Sequence, residues 1–232
     1  MKKIITAIAF IALTTVSAKA IDFGGLSVTA GLGQNTSVWG ASGTESEYSE
    51  TGTLPEINKE HGVFTDDYSS HFIELGIGQY VSIGYNMASD PIKTPSNVTN
   101  EGDAAQEATV QVDFNDLETQ YIKVNIPGGM FFKYGQTAMD IKVNEVIASG
   151  STYADRSTEG TSIGLGYQGH VGDSGLGYRI ETNYLEFDNV TTDNGHSIAA
   201  SESANGGRNQ IDINNMEGVT AMFAITYTLG RD

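Results

Sequence analysis

Eight apolar-alternating segments follow residue 20, and the connections between them alternate in length, which narrows the choice of folds more than any motif does. Tight glycine-rich turns are predicted at Gly76–Gln79, Pro127–Gly129 and Gly172–Gly175. Long polar connections are expected around residues 41–70, 89–111, 146–159 and 189–208. An up-and-down barrel that crosses an outer membrane has this order, with tight turns on the periplasmic side and long loops outside. The expected fold is all-β, an eight-stranded antiparallel up-and-down transmembrane β-barrel.

The segments carry the period of two that marks half-buried strands. Leu26, Val28, Ala30 and Leu32 alternate with Ser27, Thr29, Gly31 and Gly33. Similar stripes are Ile73, Leu75 and Ile77; Val81, Ile83, Tyr85 and Met87; and Ile122, Val124 and Ile126. Further along come Ile163, Leu165 and Tyr167; Leu176, Tyr178 and Ile180; and a final run from Val219 to Leu229. The opposite face is mostly glycine, serine and threonine with a few charges. A soluble barrel of the lipocalin type hides an apolar interior. Small polar groups here fit a narrow lumen, and the apolar face, with aromatic residues near strand ends, fits lipid. A soluble sandwich shares the period and is the competing fold. The fifth segment breaks its own pattern. Phe132 and Tyr134 continue one face, whereas Met139, Ile141 and Val143 carry the apolar parity on the other. A bulge near Gly135–Ala138 would reconcile the halves, and so would a position of Met139 to Val143 above the membrane.

The first twenty residues have the layout of a cleaved signal peptide. Lys2 and Lys3 precede the apolar run Ile4–Val16, and Ala18-Lys19-Ala20 forms a small-x-small cleavage site. The expected division is therefore a signal peptide at 1–20 and one barrel domain at 21–232. Loss of Lys2, Lys3 and Lys19 leaves 9 basic against 29 acidic residues, a formal charge of −20. That balance argues against nucleic acid, whose binding rests on neutralising phosphates. The chain has no cysteine, hence no disulfide framework and no thiolate metal site.

The barrel pattern places five charged residues, Glu74, Lys123, Lys133, Arg179 and Glu181, on the polar face. Ionisable groups at membrane depth are costly unless paired, so they are expected to meet in the lumen, as a static plug or as a gate for ions. Four Gly-x-Gly units, at Gly31, Gly76, Gly164 and Gly175, lack the third glycine and the following helix of a nucleotide loop. Glycine that relieves crowding inside a tightly curved sheet accounts for them better. His61, His71, His170 and His196 show no spacing that pairs a base with a nucleophile, so no catalytic residue is assigned. The acidic and Asx-rich stretches at Glu45–Glu50, Asp66-Asp67 and Asp188–Gly195 do not reproduce a calcium-loop spacing. No metal ligand and no cofactor is assigned.

With its targeting segment, its loop order, its final stripe from Val219 to Leu229 and its mixed lumenal charges, the chain resembles the small eight-stranded outer-membrane proteins. These are the OmpA-like transmembrane domain and its OmpX and opacity-protein relatives. The resemblance covers nearly all of residues 21–232 and includes no C-terminal peptidoglycan-binding module. It implies location in a bacterial outer membrane after export through the periplasm, as a monomer. The implied partners are outer-membrane lipid, lipopolysaccharide, the assembly machinery and an extracellular ligand, with no nucleic acid. One departure is the end of the chain. Family members usually finish on an aromatic residue, whereas Tyr227-Thr228-Leu229 here runs on into Gly230-Arg231-Asp232. The expected role is structural or surface-interacting, without enzymatic activity. The alternatives are a small porin-like channel and, more remotely, a lipid-modifying enzyme with a His–Ser or His–acid cluster at one rim.

Overall fold

A computed structural model describes residues 25–48, 56–99, 108–146, 152–196 and 208–230; the predicted signal peptide lies outside them. The elements are β1 (Leu26–Glu47), β2 (Glu56–Ile77), β3 (Val81–Ala88), β4 (Ile92–Lys93), β5 (Asn97–Thr99), β6 (Ala108–Asn125), β7 (Met130–Val146), β8 (Arg156–His170), β9 (Leu176–Phe187), β10 (Val190–Asp193) and β11 (Asn209–Leu229). Antiparallel ladders join β1-β2-β3-β6-β7-β8-β9-β11, and β11 pairs back with β1 from Val28↔Leu229 to Glu47↔Asn209. The sheet thus closes into a ring of eight strands. The three short strands extend its upper wall, β4 and β5 on β6 and β10 on β11. The three tight turns fall where the sequence predicts them. Gly78, Gly128, Gly129, Gly172 and Gly175 all adopt positive φ there, a conformation that L side chains rarely take.

The long connections differ from expectation. Much of 41–70 is strand, because β1 and β2 stay paired from Leu26↔Ile77 to Glu47↔Glu56. The stretches 89–111 and 189–208 likewise hold β4, β5, the start of β6, and β10. Period two in a sequence reports a face that touches lipid or a core. These ladders continue where the outer face no longer needs to be apolar, so the pattern fades while the hydrogen bonds persist. At 22 residues, β1 reaches roughly 55 Å along the barrel axis when tilted by about 40°. The apolar band of such barrels is about 25 Å tall. About half of each long strand therefore stands clear of the belt.

The belt itself is plain in the exposure of large apolar side chains around the ring. Leu32, Ile73, Leu75, Ile83, Ile122, Val124, Phe132, Ile163, Leu165, Ile180, Phe223 and Ile225 all face outward and are exposed. A contiguous outward apolar surface of this size on a folded chain calls for a hydrocarbon solvent. Tyr80, Tyr134, Tyr167 and Tyr184 are also exposed on the outer face, in keeping with an interfacial girdle.

β7 carries no bulge at Gly135–Ala138: Phe131, Lys133, Gly135, Thr137, Met139 and Ile141 all face inward in one unbroken register. The change of apolar parity arises because the interior itself turns from polar to apolar higher in the barrel. The bulges lie elsewhere. In β6, Asp116 and Leu117 oppose the single residue Met139, and in β11, Asn215 and Met216 oppose Ala41. Asp116 (φ 50°) and Asn215 (φ 52°) are the positive-φ non-glycine residues of the described chain. A bulge whose first residue is left-handed normally takes glycine, and Asp and Asn are the residues that best replace it. Each bulge turns the following side chain, Leu117 or Met216, into the interior. β6 and β11 are four places apart in a ring of eight, so the two bulges face each other across the barrel.

Candidate functional site in the barrel lumen

Four strands of the ring, β2, β6, β7 and β9, bring the five predicted lumenal charges into one buried layer across the lumen, each residue no more than 3 % exposed. Glu74 on β2 is its centre. Arg179 on β9 grips it with two parallel bonds, Nη1 to Oε1 at 2.8 Å and Nη2 to Oε2 at 2.6 Å. Lys123 on β6 donates to Glu74 Oε2 at 2.6 Å. Lys133 on β7 pairs with Glu181 on β9, and Arg179 Nη1 lies 3.8 Å from Glu181 Oε2. Lys123 and Lys133 are direct cross-strand partners. Like charges so placed repel, and the two ammonium groups part to opposite carboxylates across the lumen.

Sequence reasoning missed the neutral groups that complete this layer. Tyr121 donates to Glu74 Oε1 at 2.9 Å, so that carboxylate accepts four bonds. Gln168 Oε1 accepts from Lys123 at 3.1 Å and from Arg179 Nη2 at 2.6 Å. The guanidinium stacks between Phe72 and Phe131, 4.2 and 5.1 Å from the ring centroids. Lys133 sits 4.6 Å over the Tyr121 ring. Cation–π contact and multiple charge-assisted bonds are what an ion needs to remain charged without water.

Glycines make room for these rings. A Cβ on Gly31 would strike Phe72, one on Gly84 would strike Tyr121, and one on Gly166 would strike Phe131. These three glycines relieve crowding under particular aromatic rings, whereas Gly33, Gly76 and Gly164 make room for Met222, Ser27 and Asn183.

Above the charges lies a shelf of small polar groups, with Asn35 donating to Ser70 at 2.9 Å and Thr119 to Thr137 at 3.2 Å. Higher still the interior is apolar. Trp39, Tyr68, Phe114, Leu117, Met139, Ile141, Leu185, Phe187 and Met216 form one buried cluster, which we term the collar. Trp39 centres it, its ring 6.2 Å from both Phe114 and Phe187 and packed over Gly218. The sequence held one sign of this collar, the parity change at Met139 and Ile141.

Among the described residues, the lumen holds no group that fits a nucleophile with its base. Two Ser–His contacts exist on the outer wall, Ser42 with His61 Nδ1 at 2.9 Å and Ser89 with His71 Nδ1 at 3.1 Å. His61 and His71 lie on a strand, β2, and among the described residues no carboxylate hydrogen-bonds either ring. Among those residues no group of three or more His, Cys, Asp or Glu is arranged to hold a metal ion.

Closed ring, apolar belt, tight turns at one end and paired charges inside define an eight-stranded transmembrane barrel of the outer-membrane type. No protein-family model matches the chain, and no curated protein does. Among solved structures it is similar to the outer-membrane protein OprG of Pseudomonas aeruginosa. That likeness has a TM-score of 0.56 at 10 % identity and covers 88 % of this chain and 96 % of the other. The attachment invasion locus protein Ail of Yersinia pestis matches at TM-score 0.40 and 10 % identity, over 86 % and 99 % of the two chains. The outer-membrane protease OmpT of Escherichia coli matches at 0.42 and 10 %, over 92 % and 100 %. The likeness to OprG is one of fold.

Proposed function

We propose that the protein is a monomeric bacterial outer-membrane barrel with a sealed lumen, whose work is done by the surface that projects from the bilayer. The observation that carries this reading is the stacking of two different seals. A charged layer with every ion paired lies beneath an apolar collar. In the charged layer an ion would meet bulky, mutually bonded side chains. In the collar it would lose its hydration against a mostly apolar lining. Glu74, Lys123, Lys133, Arg179 and Glu181 then act as a plug that fixes the barrel's cross-section. The apolar belt supports location in the membrane, reached through the signal peptide at 1–20 and the assembly machinery. It also supports lipid and lipopolysaccharide as neighbours. The charged plug supports a narrower kinship with the OmpA-like barrels. The long acidic strands that leave the belt are the surface available to an extracellular ligand, and no enzymatic step is assigned.

Planar-bilayer recording of the refolded protein tests the seal. We expect a silent membrane while gel mobility shows the barrel folded. Steady unitary conductance would overturn the sealed-barrel reading and make the charged layer a filter.

A further inference from the structure

Two hollows lie one above the other on the outer wall. The lower, of about 760 Å³, is walled by Leu75, Ile83, Ile122 and Tyr134, and Tyr85, Gln120 and Gln136 form its upper rim. The upper, of about 620 Å³, is lined by Asp116, Glu118, Asp140, Glu159 and Asp188, and none of its lining residues is Lys, Arg or His. Lys142 and Arg156 line a third hollow, which includes Asp116 and Asp140 but not Glu118, Glu159 or Asp188.

Strand registers put the two hollows in a fixed order. Ile83↔Ile122↔Tyr134 is one cross-strand row of the outer face. The next outward row is Tyr85↔Gln120↔Gln136, and the one after it is Met87↔Glu118↔Ala138↔Glu159. Outward rows are two residues apart, about 7 Å along the strand. Within about 14 Å the wall thus passes from hydrocarbon side chains to neutral hydrogen-bonding groups to carboxylates. The Tyr85 hydroxyl donates to Glu118 and ties that carboxylate to the neutral row. Ala138, the smallest side chain of the last row, separates Glu118 from Glu159.

We propose that the two hollows together bind one phospholipid whose head group ends in a primary amine. Its acyl chains lie against Leu75, Ile83 and Ile122. Its phosphate accepts from the side-chain amides of Gln120 and Gln136, and its ammonium sits over Ala138 between Glu118 and Glu159. Charge complementarity selects this occupant. An apolar hollow alone would take any acyl chain, and the acidic row beyond it supplies the choice of head group. A lipid with an anionic head group brings its charge against five carboxylates. A second copy of this chain brings the same carboxylates and a formal charge of −17. Neither is attracted here, whereas an ammonium donates up to three charge-assisted bonds to oxygen.

The proposal rests on the barrel's place in the membrane and not on its sealed lumen, so a conducting barrel would leave it standing. The test uses the full chain refolded in lipid nanodiscs without divalent cations. Phosphatidylethanolamine is mixed in equal amount with phosphatidylglycerol or with phosphatidylcholine, all with the same acyl chains. Native mass spectrometry of the released barrel reads which lipid stays bound longest. We expect phosphatidylethanolamine adducts to exceed either competitor about tenfold, because one lacks the amine and the other has no N–H to donate. Glu118→Gln keeps an oxygen for the Tyr85 hydroxyl and removes the charge, and together with Glu159→Gln it brings the lipids to parity. Ile83→Trp fills the lower hollow and lowers retention of every lipid, while gel mobility shows each variant folded. Equal retention of phosphatidylethanolamine and either competitor by the unaltered chain would overturn the proposal. A preference that survives the double glutamine variant, or retention that Ile83→Trp leaves unchanged, would place the lipid elsewhere on the belt and overturn it too.

Discussion

At the scale of single residues, the lumen is organised by what each ion needs to remain charged without water. Arg179 is fully buried and holds Glu74 through both terminal nitrogens. Replacing it by alanine leaves that carboxylate with Lys123 and Tyr121 alone and empties the space between Phe72 and Phe131. Breaking a buried pair from one side costs about 3–5 kcal/mol. Arg179→Ala is therefore expected to lower the unfolding free energy of the barrel in lipid vesicles by that much, read as a lower urea midpoint. An unchanged midpoint would mean that water already relaxes the layer. The five charges could be identified in the sequence because each interrupts a run of small residues on the polar face of a period-two segment. Tyr121 and Gln168 could not, since a tyrosine or glutamine beside a lysine carries no sign of which carboxylate it will meet across the barrel.

At the scale of elements, the two bulges decide where the polar interior ends. Asp116 and Asn215 supply the left-handed residue, and Leu117 and Met216 supply the apolar side chain that the bulge turns inward. A β-branched residue in the left-handed region costs about 1–2 kcal/mol, whereas glycine there costs nothing sterically. Asp116→Val is expected to destabilise the barrel by about that amount, and Asp116→Gly to cause no loss, by the same urea titration. Equal effects of the two would show that the Asp116 side chain matters through its charge and not its backbone. The bulges were not legible in the sequence. Parity across β7 suggested one, and β7 runs straight while its neighbour β6 carries the extra residue opposite Met139. A bulge belongs to a pair of strands, and one strand's pattern cannot say which partner holds it.

At the scale of the whole molecule, the two seals act in series, so opening one leaves the other closed. Arg179→Met keeps the volume of the charged layer and removes its charge. Trp39→Ala opens the collar, where the indole packs between Phe114 and Phe187. Each variant alone is expected to stay silent in planar bilayers. Conductance from Arg179→Met alone would assign the whole barrier to the charged layer, and conductance from Trp39→Ala alone would assign it to the collar. The same view separates the protein into an embedded half with an apolar exterior and a projecting half whose walls are mostly polar outside.

The sequence by itself determined the strand count, the three tight turns, the outward apolar stripes and the set of charged residues on the inner face. All of these are local: a period of two, a glycine that tolerates positive φ, or a charge within a small-residue run shows itself within ten residues. Tertiary structure alone decided which carboxylate each cation holds, where the interior turns apolar and how far the strands outrun the belt. Those depend on registers between strands far apart in the chain, such as Glu74 with Arg179 and Val28 with Leu229. Outside the lipid, the ladder continues without the outward apolar stripe that announces it lower down, because backbone hydrogen bonding does not depend on which side chains line the strand.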